Sequence, residues 1–303
     1  MKTLLAACCL LLAATAQAET WKFAVIGDVP YSDYERRKMP SLLRLIEDEQ
    51  PEFIVHAGDI KRSSAKCSDE ILLDRKALFD SSRVPFLYTP GDNEWTDCKV
   101  LVAGDYDPVE RLNRLREIFF AEPQSLGQRK IAVERQSADF PENLRWRLGP
   151  VRFLTINVPG PNNNHGIRKQ PSPEFAARNP AILDWLRQGF ALARQEHARG
   201  IVVVMQADPV FKLFAAGLAK NGFRELLETL RQETLDFPGQ VLLVHGDTHW
   251  HRIDHPLRRP DGQGPVANFT RLETFGYPWM GWIKVVIDTD EPALFRFESH
   301  AYP

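Results

Sequence analysis

The chain has 303 residues, 44% hydrophobic and 26% charged, with a formal net charge of −2. That composition is ordinary for a folded soluble protein, and no low-complexity tract or internal repeat is visible. The near-neutral charge balance gives no support for a nucleic-acid or anionic-membrane partner.

Residues 1–18 read as a cleavable signal peptide. Lys2 is a short positive start, and Leu4 to Ala14 form an apolar core too short for a stable anchor. Ala16-Gln17-Ala18 fits a small-x-small cleavage site, so the mature chain is expected to run from Glu19 to Pro303 as one domain, periplasmic or secreted. The stretch Leu5-Ala6-Ala7-Cys8 resembles a lipoprotein box, but the apolar run before Cys8 is too short. No membrane span is expected in the mature chain. Cys67 and Cys98 then remain, and an even count in an exported chain favours one disulfide over two buried thiols.

Strand-like and helical runs alternate from there. Trp21–Ile26 reads as a strand ending in Gly27-Asp28. Arg36, Arg37 and Lys38 read as a solvated helix start, and Ser41–Glu49 carries Leu42, Leu45 and Ile46 at helical spacing. Glu52–His56 is a second strand, ending in Gly58-Asp59. Asp69–Asp80 is a helix capped by Ser68. Pro85–Thr89 is a third strand, ending in Gly91-Asp92-Asn93. Asp107 and Pro108 open another helix, with Glu110 placed to complete a capping box. Short strands follow near Ile131, Trp146 and Val151–Asn157. Asn179-Pro180 is read as the start of a long amphipathic helix. Ile201–Met205 is a strand, Phe223–Leu230 a helix, and Val241–Val244 a strand running into His245-Gly246-Asp247-Thr248-His249-Trp250-His251. Three more strands close the chain near Ala267–Leu272, Trp282–Ile287 and Ala293–Phe297. The βαβαβα first half predicts a helix-covered parallel sheet, and the mixed second half predicts another sheet.

Four strands therefore end in Gly-Asp. One such turn is most simply a helix cap. Four at the carboxyl ends of α/β strands are expected to converge, because that is where open sheets bind ligands. Several carboxylates in one crevice stay ionised only with cations between them. Acidic ligands with added imidazole suit Fe, Mn or Zn, and carboxylates shared by two metals are a usual hydrolytic arrangement.

The order of these motifs resembles the calcineurin-like metallophosphoesterase superfamily. That family shows Asp-x-His, Gly-Asp-x-x, Gly-Asn-His-Asp/Glu, a later His, and Gly-His-x-His. The matching stretches are Gly27-Asp28-Val29-Pro30, Gly58-Asp59-Ile60-Lys61, Gly91-Asp92-Asn93-Glu94, Gln206-Ala207-Asp208 and Gly246-Asp247-Thr248-His249. The resemblance implies an α/β four-layer αββα sandwich with a metal site at the carboxyl ends of the strands. It implies Asp59 as bridging carboxylate, Asp28 and His249 on one metal, and Asn93 and Asp247 on the other, with Gln206 or Asp208 substituting for the later His. Pro30, Ala207 and Asp247 stand where the family has histidines, and Asp92 is read as an extra residue before Asn93. The oxygen-rich set shifts preference within Mn, Fe, Zn, Mg and Ca toward Mn, Mg or Ca, with Mn favoured for two divalent ions.

Glu94 is a candidate general acid, or orients Asn93. Strand alternation places His245 and His251 on the side of Asp247 and His249, to bind phosphate or protonate a leaving group, or as scaffold. Lys61 is a phosphate-binding candidate, and His165 with Asn164 a substrate clamp or a plain loop. His56 is a supporting residue. The implied activity is hydrolysis of a small phosphate monoester or phosphodiester. The alternative is a degenerate binding or scaffold protein on the same fold. Nothing in the chain speaks to oligomeric state.

Overall fold

The computed structural model describes residues 19–166 and 170–303. The expected signal peptide, residues 1–18, lies outside the described residues. Strands β1 (Thr20–Ile26), β2 (Ile54–His56) and β3 (Phe86–Tyr88) are parallel neighbours. Their crossovers are α1 (Asp33–Asp48) and α2 (Asp69–Asp80), and α3 (Pro108–Phe119) follows β3. Next come β4 (Glu134–Arg135), β5 (Leu144–Leu148), β6 (Val151–Thr155), α4 (Pro173–Gln195), β7 (Gly200–Val204), α5 (Phe211–Ala215), α6 (Asn221–Leu235) and β8 (Gln240–His245). The chain closes with β9 (Arg252–Asp254), β10 (Phe269–Glu273), β11 (Gly281–Asp288) and β12 (Phe295–Ala301).

Two sheets result, ordered β12-β11-β1-β2-β3 and β4-β5-β6-β7-β8-β10-β9. Strands β6, β7, β8 and β10 are parallel, so the second half contributes its own helix-covered sheet. The last two strands return to the first sheet, with β11 antiparallel to β1. Alternation along β7 explains the layering. Val202 and Val204 face the first sheet, in a core with Phe23, Val25, Phe53 and Phe153. Ile201, Val203 and Met205 face the other way, onto Ile182, Leu186, Phe190, Phe223 and Leu226 of α4 and α6. Phe23 and Phe153 meet edge to face across the sheets at 5.1 Å. These two apolar layers, with helices outside each sheet, make the expected four-layer sandwich and supply most of the stabilisation.

Two helices start earlier than periodicity predicts. Helix α1 begins after Ser32, whose hydroxyl accepts from the Glu35 amide while the Glu35 carboxylate accepts from the Ser32 amide. Helix α4 begins after a Ser172 cap with Pro173 in its first turn, so Pro180 lies inside it. The helix opened by Asp107 keeps its cap, but Glu110 pairs with Arg111 and does not return to close the box.

Cys67 and Cys98 form a disulfide that closes a 31-residue separation. Both sulfurs sit against the Asn93 carbonyl oxygen, at 3.6 and 3.8 Å. The bond ties the loop after β2 to the loop after β3. Loop-closure entropy for that span predicts that a Cys67→Ser/Cys98→Ser chain loses about 4 kcal/mol of stability. Urea denaturation of the two proteins at equal pH checks this; coincident transitions would refute it.

Candidate metal centre

The parallel strands of both sheets end on one side of the sandwich. There the backbone turns abruptly. Asp28, Asp59, Asp247 and His249 adopt positive φ, at 51°, 60°, 81° and 61°. Non-glycine residues enter this region at a cost of order 1–3 kcal/mol each, and such outliers cluster at functional sites. Close approach accounts for two glycines. A side chain on Gly91 would begin 2.1 Å from Asp59 Oδ1, and one on Gly246 would begin 2.3 Å from Asp28 Oδ2.

The turns bring Asp28, Asp59, Asp247, His249 and Gln206 into one crevice. Asp28 is fully buried; its oxygens accept from the Asp247 amide at 3.0 Å and the Thr274 hydroxyl at 3.0 Å. His249 Nε2 lies 3.8 Å from Asp28 Oδ1, and its Nδ1 sits 2.8 Å from the Tyr277 carbonyl, which fixes the ring. Asp59 Oδ1 accepts from the Asn93 amide at 3.1 Å. Its Oδ2 accepts from Gln206 Nε2 at 3.2 Å and from the Tyr31 hydroxyl at 2.8 Å.

Two residues at the centre lie outside the ligand set read from the sequence. Tyr31 places its hydroxyl among Asp59, Asn93 Nδ2 (2.8 Å) and His249 Nε2 (3.2 Å). Asp92 faces Asp247 beside Gly160: its Oδ2 and Asp247 Oδ1 come within 3.1 and 3.0 Å of where a Gly160 side chain would begin. A signal for Asp92 existed. Laid one to one on Gly-Asn-His-Asp/Glu, the run Gly91-Asp92-Asn93-Glu94 puts Asp92 on the family's asparagine and Glu94 on its acidic residue. No comparable signal marks Tyr31.

Other expected residues lie elsewhere. Asn93 turns its amide to Tyr31. Glu94 is fully buried and accepts from the amides of Asp59, Ile60 and Gly91 and from the Tyr88 hydroxyl. It binds two acidic turns together and has no free path to a leaving group. Lys61 is buried and donates to the carbonyls of Arg62 and Ala65, not to the crevice. Asp208 pairs with Arg252 at 3.0 Å and donates its amide to Asp247 Oδ2 at 2.8 Å, so it orients Asp247. His245 is buried below the site, 4.0 Å from Glu273. His251 is held by the Glu273 carbonyl and the Ser299 hydroxyl. The alternation that would put both beside His249 fails because positive φ at Asp247 and His249 interrupts the strand. Asn164 bonds to Glu174 at 2.7 Å and His165 packs edge-on against Phe175, so both brace the start of α4. His56 is buried, 2.8 Å from the Val29 carbonyl.

Four carboxylates with so few cations near them carry an electrostatic cost. Burial, then their mutual repulsion, pushes Asp28 and Asp59 well above the usual carboxylate range. Burial and the Asp247 charge push Asp92 up to about 8. Burial likewise raises Asp247 and lowers the neighbouring His249 and Lys61, and Lys61 spends its ammonium on backbone carbonyls outside the crevice. Asp92 Oδ1 is buried with no hydrogen-bond partner. Among the described residues, no three His, Cys, Asp or Glu side chains close a cage on one point. The acids are interleaved with the Gln206 amide and the Tyr31 phenol. An orphaned carboxylate oxygen among repelling acids fits a divalent cation, and the oxygen-rich donors fit a hard or borderline one.

The description calcineurin-like phosphoesterase matches residues 22–251 of the chain. That family typically uses a dinuclear metal centre. No curated protein matches the chain. Among solved structures, a dimetal phosphatase from Danio rerio superposes with a TM-score of 0.56 at 13% identity, covering 93% of this chain and 99% of its own. A purple acid phosphatase from yellow lupin (Lupinus luteus) seeds gives 0.54 at 10% identity, covering 94% of this chain and 54% of its own. GAP50, described as the anchor in the inner membrane complex of Plasmodium, gives 0.53 at 11%, covering 94% and 89%. At these identities the likeness is one of fold.

The raised acids predict an unusual pH dependence for the metal-stripped protein. The folded state keeps a proton on Asp92 up to about pH 8, whereas the unfolded chain releases it near the ordinary aspartate value of 3.8. Stability from this group is therefore full below the unfolded value and lost as pH rises through about 8. Thermal unfolding in chelator should show the melting temperature falling between about pH 5 and pH 8. Asp92→Asn should flatten that slope, and added Mn should remove it. A melting temperature that rises over the same range in chelator would refute the assignment.

Proposed function

Because the chain belongs to the calcineurin-like phosphoesterase family, we propose that it is an exported, metal-dependent hydrolase of phosphate monoesters or phosphodiesters. The observation that carries this reading is the convergence of four buried or half-buried carboxylates, Asp28, Asp59, Asp92 and Asp247, with a crowded positive-charge deficit. Asp59 would bridge two ions. Asp28 and His249 would complete one set, with the Tyr31 hydroxyl beside them. Asp92, Asp247 and Gln206 would complete the other. This replaces Asn93 and Asp208 of the sequence-based set. With a single imidazole among mostly oxygen donors, Mn, Mg or Ca is favoured over Zn, and Mn most of all. Bound divalent ions supply a water-derived nucleophile at neutral pH and charge stabilisation for the transferring phosphoryl group.

The chain's own residues prepare that chemistry by orientation. The Tyr277 carbonyl fixes one nitrogen of His249 and leaves Nε2 aimed into the crevice. The Asp208–Arg252 pair and the Asp208 amide hold Asp247. Burial and the neighbouring Asp59 charge raise Tyr31, so its oxygen keeps the proton and can donate a hydrogen bond to a phosphoryl oxygen. Asn93 stands where the family has a proton-donating histidine. An amide cannot transfer that proton, so esters with good leaving groups should be hydrolysed best. The Cys67–Cys98 bond supports export, because such bonds persist in oxidising compartments. Among the described residues no helix is long and apolar enough to cross a membrane.

A second reading, a binding or scaffold protein, is favoured by the lack of a three-residue cage of His, Cys, Asp or Glu among the described residues. Metal content separates the two. The hydrolase reading expects about two Mn per chain after reconstitution, as in two-metal hydrolytic sites. Asp59→Asn should lose both ions and lower kcat/KM on p-nitrophenyl phosphate by more than about 100-fold, beyond the range for a merely supporting group. An absence of bound metal in both proteins after supply of Mn, Fe and Zn would leave the scaffold reading standing.

A further inference from the structure

The crevice opens on one side into a cavity of 690 Å³. His249 forms part of its wall. Much of the remainder is ring surface, from Tyr34, Trp250, Phe275, Tyr277 and Trp279. Trp250 and Trp279 are each 71% exposed, Tyr34 56% and Tyr277 49%. Large apolar side chains scattered singly over a surface need no explanation, but four open rings along one concave wall do. These residues come from the start of α1 and from two loops more than 200 positions away, so no local pattern accounts for their meeting.

The wall is continuous with the acidic crevice. The Tyr277 and Tyr31 rings stack with centroids 6.2 Å apart, and the Tyr31 hydroxyl is 2.8 Å from Asp59. A phosphoryl group held over Asp59 therefore has its ester substituent one ring away from Tyr277. The lining contains no lysine or arginine, so a second phosphate or a carboxylate is poorly matched to it. Pro278, Met280 and Ala301 lie in the same lining, and its polar side chains Ser32, Glu35, His249 and His251 are already engaged in hydrogen bonds within the protein, which leaves little for a sugar's hydroxyls. What remains complementary is a flat, uncharged aromatic ring stacked on indole and phenol faces.

Resting on the phosphoesterase reading, we propose that this cavity is the subsite for an aromatic ring carried by the substrate, so that the substrate class is ring-bearing phosphate esters. The ring is either joined directly to the ester oxygen, as in phenyl phosphate, or carried through a sugar, as in a nucleoside monophosphate. Trp250 and Trp279 determine specificity by stacking and take no part in the chemistry.

Two measurements test this and separate it from the hydrolase reading. The first is calorimetric titration of the full chain with adenosine and with phenol, neither of which carries phosphate. The second is steady-state hydrolysis of AMP, phenyl phosphate and glycerol 3-phosphate by the Mn-loaded protein. Trp279→Ala and Trp250→Ala should each raise KM for the preferred ring ester about tenfold, the usual scale for loss of one stacking face, with kcat unchanged. Glycerol 3-phosphate kinetics should not change, and Trp279→Phe should restore most of the affinity. Preference for AMP with adenosine binding assigns a base; preference for phenyl phosphate with phenol binding assigns a directly joined ring. Ring binding that the tryptophan variants abolish, without hydrolysis of any ester, would uphold the subsite and overturn the hydrolase. Hydrolysis of all three esters with equal efficiency, unchanged in the variants, would overturn the subsite and leave the hydrolase standing. Absence of ring binding together with self-association lost in Trp279→Ala would also overturn it and assign the rings to a contact between chains.

Discussion

Like charges confined to a dry crevice govern this structure. Asp28, Asp59 and Asp92 are buried and Asp247 is nearly so; burial first, and then repulsion from neighbouring acids, raises each above the normal carboxylate range. A fold accepts such a cluster only if it protonates the acids or neutralises them with cations. Backbone amides do part of the work, from Asp247 to Asp28, from Asn93 to Asp59, and from Asp208 to Asp247. They do not supply net charge. The remainder is what makes a divalent ion fit.

The surrounding framework makes sense as restraint on those acids. Glu94 accepts three backbone amides and a phenol, clamping the turns after β2 and β3. The disulfide, itself buried, joins the same two loops against the Asn93 carbonyl. Below Asp247, Asp208, Arg252 and Glu273 form an ion network that sets one carboxylate's direction. Two apolar layers either side of the second sheet provide the stability that such a strained, repulsive edge consumes. The open aromatic wall is a different kind of exception: apolar surface left in water next to the most polar part of the molecule.

Sequence reading succeeded where interactions are local. The strand ends, the Ser68 and Asp107 caps and the Cys67–Cys98 pair were all legible. It failed at two helix starts for one reason. Helical spacing places the first helix at Ser41–Glu49 and Asn179-Pro180 places the long one, yet the helices begin at Asp33 and Pro173 and carry Pro40 and Pro180 inside them. Tertiary packing retains a helix through the missing amide. In α1 the Ser32-x-x-Glu35 box was available as a corrective. The one-residue register slip at Gly91-Asp92-Asn93-Glu94 was also avoidable, since the run matches its motif without an insertion.

By itself the sequence determined the alternation of strands and helices, the four Gly-Asp turns and the acidic character of the site. Those depend on residue periodicity, capping and turn chemistry within a few positions. Only the tertiary structure decided that Asp92 faces Asp247, that the Tyr31 hydroxyl sits between Asp59 and His249, and that Tyr34, Trp250, Tyr277 and Trp279 share one wall. It also decided that Glu94, His245 and His251 turn away, because left-handed backbone at Asp59, Asp247 and His249 redirects side chains against any strand or helix period. Side-chain direction at a turn depends on φ and on what packs against it, and residues as distant as Thr274 from Asp28, 246 positions away, supply that packing.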